Sequence, residues 1–212
     1  MVPVTNEILT GDSRYDRKPK PMNNLLLTIL VIFATSRLNA QSSKEAYMAV
    51  PVLSQQSVYL KNASDNGSGK VLQIDLPANT VEWYYTITTK TGHAQFSNND
   101  LTGQLVKLVD PEHGISKYNA VRVPGGTGVC SVYLMTNSQE ADKYINNRPA
   151  GSFLMNDSRE RFVSGTVQVK DFLDGPYFLV VRNSNLHSNV SVHIEVTAIV
   201  LTTSLDNSTA MQ

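Results

Sequence analysis

Two segments of this chain alternate apolar and polar residues, and that alternation constrains the fold more than any other feature. In VEWYYTIT the odd positions are Val81, Trp83, Tyr85 and Ile87, and the even ones are Glu82, Tyr84, Thr86 and Thr88. Near the end of the chain Val190, Val192, Ile194, Val196, Ala198 and Val200 alternate with Ser191, His193, Glu195 and Thr197. Successive side chains of a strand point to opposite faces, so a period of two marks a strand with one face buried. Trp83, the only tryptophan, falls on the apolar side. Burying its indole contributes on the order of 2–3 kcal/mol, so it reads as core. Tyr84 is the aromatic that this pattern turns outward, and it is the one residue assigned to ligand binding.

The rest of the chain reads mostly as strand and turn. Strands are expected at 57–60, 70–76, 120–123, 129–135, 165–170 and 177–183, besides the two alternating segments. Asn62 to Gly69 and Pro124-Gly125-Gly126-Thr127-Gly128 are turn-forming connections. Leu101, Leu105, Leu108 and Val109 recur at helical spacing, with Asn99 or Asp100 to cap the start and Pro111 to end it. A second short helix is expected at Ser138 to Ile145. About eight strands, with helices too short for crossovers between parallel strands, predict a mostly β, antiparallel β-sandwich of jelly-roll or related type with one or two short helices.

The apolar run Leu25 to Ala34 is too short to anchor stably across a bilayer but has the length of a secretory signal core. Arg14, Arg17, Lys18 and Lys20 precede it, and Leu38-Asn39-Ala40 before Gln41 forms a cleavage site of bacterial look. Met22 is an alternative start. This divides the chain into an N-terminal extension and cleaved signal (1–40), a leader (41–56), a sandwich domain (57–201) and a flexible tail (202–212). A secreted or periplasmic protein without a stable membrane anchor is expected. The formal net charge is +0, and no basic cluster lies beyond the signal, which argues against a nucleic-acid partner. Cys130 is the only cysteine, so no internal disulfide is possible, and its apolar surroundings place it in the core.

Trp83, the Gly175-x-Tyr177-x-Leu179-x-x-x-Asn183 element and the final strand 190–200 together resemble the Golgi-dynamics (GOLD) β-sandwich. The resemblance spans about two-thirds of the chain after the signal. It implies a protein- or lipid-interaction module rather than an enzyme. The cysteine pair, coiled coil and transmembrane tail of that family's cargo receptors have no counterpart in this sequence, so cargo transport does not follow.

The residues that carry chemistry form no local motif. His93, His113, His187 and His193 fall in no metal-ligand spacing, and His193 is read as a solvated residue on the polar face of the last strand. Pro124 to Gly128 lacks the Lys-Ser/Thr and the following helix of a phosphate loop. Asp65 to Gly69 lacks the acidic series of a calcium loop. Asn62, Asn66, Asn156, Asn189 and Asn207 start Asn-x-Ser/Thr triplets and are read as loop residues. No metal or cofactor is called for. The leading expectation is a non-catalytic module that recognises another macromolecule, with a protein or polysaccharide partner. One alternative is a carbohydrate-binding module that stacks sugars on Tyr84, Tyr118 or Tyr144. The other is a small hydrolase whose site, with acids such as Asp100, Asp110 and Glu112, assembles only in three dimensions.

Overall fold

The computed structural model describes residues 43–205, apart from 98, 116, 147, 149–152 and 154, and all of these belong to one compact unit. The expected signal, its cleavage point and Met22 lie outside the described residues, as do Asn207 and the last seven positions. The fold is mostly β and antiparallel, with two short α-helices, as the alternation predicts.

One sheet has the order β1 (Ser43–Leu60), β10 (Val190–Leu205), β3 (Thr80–Thr91), β8 (Ser164–Val169). The other runs β2 (Gly69–Asp75), β9 (Pro176–Arg182), β6 (Cys130–Met135), β7 (Arg159–Phe162). A two-residue pair joins β4 (Val109–Asp110) to β5 (Gly114–Ile115). One apolar cluster takes Trp83, Tyr85 and Ile87 from β3 and Val192, Ile194 and Val196 from β10. It also takes Val132 and Leu134 from β6 and Leu179 and Val181 from β9, which is consistent with a β-sandwich.

Trp83 is fully buried, its ring 6.0 Å from that of Tyr177, and its indole N–H donates to the Phe172 carbonyl at 2.9 Å. The indole's polar atom is thus satisfied, and burying the ring incurs no unpaired donor. Other residues of the GOLD-like element also act in packing. Leu179 is fully buried, and the Asn183 amide donates to the Lys61 and Ser188 carbonyls while its oxygen accepts from the Asn185 N–H. Cys130 is buried, and burial pushes its thiol up to about 12.

Three expectations need correction. The segment expected to be a leader is strand from Ser43 onward and pairs along β10. Its apolar residues serve two faces: Val50, Val52 and Leu53 reach the shared cluster, while Tyr47 and Ala49 pack on the opposite side. That double duty blurs the period. Pro51 reads as a breaker but is tolerated because β1 lies at the sheet edge. The tail begins later than expected, since β10 continues to Leu205. Residues 120–123 form no strand. After a 3-10 turn at Tyr118–Ala120, Arg122 offers its backbone to one side chain, donating N–H to Gln104 Oε1 at 2.7 Å and accepting from Gln104 Nε2 at 3.0 Å. A glutamine amide thus replaces a neighbouring strand.

Both helices start as local chemistry predicts. Helix α1 (Leu101–Leu108) is capped by Asp100, whose carboxylate accepts from the Gly103 N–H, and it buries Leu101 and Leu105. Helix α2 (Ser138–Ile145) is capped by Asn137, which accepts from the Gln139 and Glu140 N–H groups. The glycine-rich connection 124–128 lies tightly on the first sheet. A Cβ on Gly126 would stand 2.5 Å from the carbonyl oxygens of both Thr89 and Val163, so only glycine fits there.

Candidate functional site

The face of the first sheet turned away from the shared cluster carries the polar half of both alternating segments. That half is not solvated. The outward residues of β10 bind, in order, successive parts of the segment that runs into α1. Ser191 Oγ donates to the Gly92 carbonyl and accepts from the Ala94 N–H. His193 stacks on Phe96, with ring centroids 5.3 Å apart. Glu195 accepts from the Asn99 N–H at 3.2 Å and the Leu101 N–H at 2.6 Å. The Thr197 hydroxyl bonds that of Thr102 at 2.8 Å. Strand spacing and covering segment advance in step, so the polar face acts as a template.

Tyr84 lies under this cover and is fully buried, which corrects its assignment to an exposed ligand platform. It does point away from Trp83, as the period requires, but Leu101, Leu105, Ile115 and Ile199 close over it. Its hydroxyl lies 2.7 Å from Gln168 Nε2, which also donates to Glu82. Burial, then the Glu82 carboxylate, pushes the Tyr84 phenol far above its ordinary range. His193 likewise is 4% exposed rather than solvated. The cause is the same: the segment from 92 to 102 covers a face that alternation alone assigns to water.

Within that layer lies a row of three polar side chains. Ser57 Oγ is 3.0 Å from His193 Nδ1, and His193 Nε2 is 3.0 Å from Glu195 Oε1. Ser57 and His193 are paired across β1 and β10, and His193 and Glu195 are two residues apart on one strand. Glu195 is 4% exposed. Burial works to raise its carboxyl, but hydrogen bonds from His193 and from the Leu101 and Asn99 amides outweigh this and hold it below the usual carboxylate range. An ionised carboxylate only accepts, so Nε2 carries a proton, and in the neutral imidazole Nδ1 then presents its lone pair to the Ser57 hydroxyl.

The acids named for a hydrolase are not brought together. Asp100 caps the start of α1, while Asp110 lies just past its end and bonds His113 at 3.1 Å in the open. Glu112 is in that same turn, its N–H donating to Asp110. The histidine–carboxylate pair that forms in their place, His193–Glu195, was legible only as two polar positions on one strand.

The second sheet is different. Its face away from the shared cluster opens into a groove of about 510 Å³ lined by Ser131, Tyr133, Glu160, Arg161, Ser184 and Asn185, with Val129 at its edge. The register between β6 and β7 slips here, with Cys130 opposite Phe162 and Val132 opposite Arg159. Glu160 and Arg161 together therefore oppose Ser131 alone. Arg161 occupies the left-handed region at φ 52, a conformation that costs a non-glycine residue about 1–3 kcal/mol. Tyr133 packs its ring on Tyr144 and Phe153, at 4.6 and 4.8 Å between centroids, and its hydroxyl donates to Glu160 at 3.0 Å. The groove thus offers a fixed carboxylate, an exposed guanidinium, two serine hydroxyls and an amide. The sequence carried no signal for this site, because its two charged residues read as ordinary solvated positions between strands.

Of the other tyrosines suggested as sugar platforms, Tyr144 is occupied by Tyr133 and by the Arg182 guanidinium, 5.4 Å from its ring. Tyr118 is 39% exposed at a cavity of about 350 Å³. Asn62 uses its amide on Asp65, and Asn189 on the Tyr59 hydroxyl. Among the described residues no group of three or more His, Cys, Asp or Glu is placed to hold a metal ion, and no helix is long and apolar enough to cross a membrane. No protein-family model, curated protein or solved structure matches the chain.

Proposed function

We propose that this protein is a secreted or periplasmic binding module that recognises a polar segment of another macromolecule in the groove on its second sheet, and that it holds this ligand without chemically altering it. The observation that carries the reading is Arg161. A non-glycine residue keeps a left-handed backbone only where the surrounding structure imposes it, and such positions concentrate at ligand sites. Here the conformation sets a guanidinium beside a carboxylate already oriented by Tyr133. Hydrogen-bonding groups of both signs, with the carboxylate already held by Tyr133, suit an amide- or hydroxyl-rich chain. The export signal read in the sequence supports the same compartment.

The test is capture of partners from a secreted or envelope fraction with the full chain as bait, alongside Arg161→Ala and Glu160→Gln. A partner that wild type retains and both variants lose supports the groove. Equal retention by all three rejects it.

A carbohydrate ligand is the second reading, favoured by Tyr118. Its exposed ring borders a cavity with Asn119 and Ser164. An aromatic face beside hydroxyl and amide groups is sugar-binding chemistry. Retention on a glycan array that disappears in Tyr118→Ala would favour it over the groove.

A further inference from the structure

We infer that Ser57 is an acylable nucleophile, activated by His193 and directed by Glu195, toward esters with short acyl chains. This goes beyond the binding role, which belongs to the other sheet.

Three features carry it. The Ser57–His193–Glu195 contacts are both 3.0 Å, within the range in which a nucleophile, its base and the group orienting that base cooperate. The carboxylate is immobilised, since two backbone amides hold it at the start of α1, so it cannot turn away from the imidazole. The Ser57 side is open while the other two members are buried, so an ester, and after it water, arrives at the hydroxyl from solvent while the imidazole stays fixed behind it.

A place for the acyl group adjoins the row. Register along β1 slips from Leu53, opposite Val196, to Gln56, opposite Ile194, so Ser54 and Gln55 bulge outward beside Glu195. Gln55 takes φ 51 to do so. A cavity of about 170 Å³ opens there, lined by Pro51, Leu53, Ser54, Gln55, Asp100, Thr102 and Glu195, one step along the ladder from Ser57. Its small size suits a short acyl group, and its mostly polar lining, with Asp100 and Glu195 among it, disfavours a long alkyl chain.

In the reaction Ser57 Oγ attacks the ester carbonyl carbon as its proton passes to His193 Nδ1. The Oγ–C bond forms, the bond from carbon to the leaving alcohol oxygen breaks, and His193 returns the proton to that oxygen. Water, deprotonated by the same nitrogen, then adds to the carbonyl carbon, the Oγ–C bond breaks with release of the acid, and His193 returns its proton to Ser57 Oγ. No further reactant is needed.

Cross-strand neighbours touch whether or not they react, so the test must read covalent chemistry. The full chain is incubated with a biotinylated fluorophosphonate and digested for peptide mass mapping. One adduct on Ser57, absent in Ser57→Ala and slowed about a hundredfold in His193→Gln, is the expected result. An unlabelled wild type, or an adduct elsewhere that persists in Ser57→Ala, overturns the inference. Mapping on wild type needs no variant to fold. With p-nitrophenyl acetate as substrate, Glu195→Gln should lower kcat about tenfold at unchanged KM, as expected of a positioning residue. p-Nitrophenyl octanoate should be poorly turned over, and an octanoate rate equal to that of acetate would refute the short-chain assignment.

Discussion

The outward faces of the two sheets are built differently: on the second, Tyr133, Met135, Phe178 and Val180 form an apolar cluster with Tyr144 and Ile145 of α2, whereas on the first the covered face is polar. On the first sheet, Ser191, His193, Glu195 and Thr197 are covered by the segment from 92 to 102, and each pairs with it or packs against it. On the second, Glu160 and Arg161 stay exposed, at the rim of an open groove whose floor includes the buried Ser131. The difference teaches that a polar strand face is not a solvated face by default. A connection long enough to fold back, with backbone amides and a helix start at the right intervals, turns it into a buried layer, because each buried polar group then finds a partner.

Removing one carboxylate from each face should separate them most clearly. Glu195→Ala leaves the Asn99 and Leu101 amides and His193 without their buried acceptor, and we expect a loss of about 3 kcal/mol in urea unfolding. Glu160→Ala, at an exposed position, should cost about 0.5 kcal/mol or less by the same measurement. Comparable losses would mean that the two faces are energetically alike after all.

Acid sharpens the contrast. The Glu195 carboxyl is held below its unfolded value, so its contribution is fully present above the unfolded pKa and is lost as pH falls through the lower, folded one. Denaturation midpoints of wild type should therefore fall on acidification more than those of Glu195→Gln, and parallel curves would show that the carboxylate is not the acid-sensitive element.

A further change should act with the opposite sign. Arg161→Gly relieves a left-handed backbone and should stabilise the protein by about 1 kcal/mol while abolishing ligand capture in the groove. A destabilised variant would show that the guanidinium supports the fold instead of recognition.

Legibility follows the range of the interactions involved. The caps of both helices, the inward side of Trp83 and the burial of Cys130 could all be read from residues a few positions apart. The end of β1 was read as a strand at 57–60, but its first part was hidden because Tyr47 and Ala49 serve one cluster while Val50 and Val52 serve another, so both faces are apolar. The expected strand at 120–123 failed because Gln104, well back along the chain, satisfies its backbone. Ser57 and His193 are separated by most of the domain and meet only through the pairing of β1 with β10. Glu160 and Arg161 reach the groove through a register slip that no local pattern announces.

In β3 and β10, period-two alternation determined by itself that the chain forms strands and which side meets the shared interior, because strand geometry ties side-chain direction to residue parity. Tertiary structure alone decided which polar sides stay open, where Tyr84 lies and which distant side chains become neighbours. Those outcomes depend on strand register and on how connections cover the sheets, and a local pattern carries no information about either.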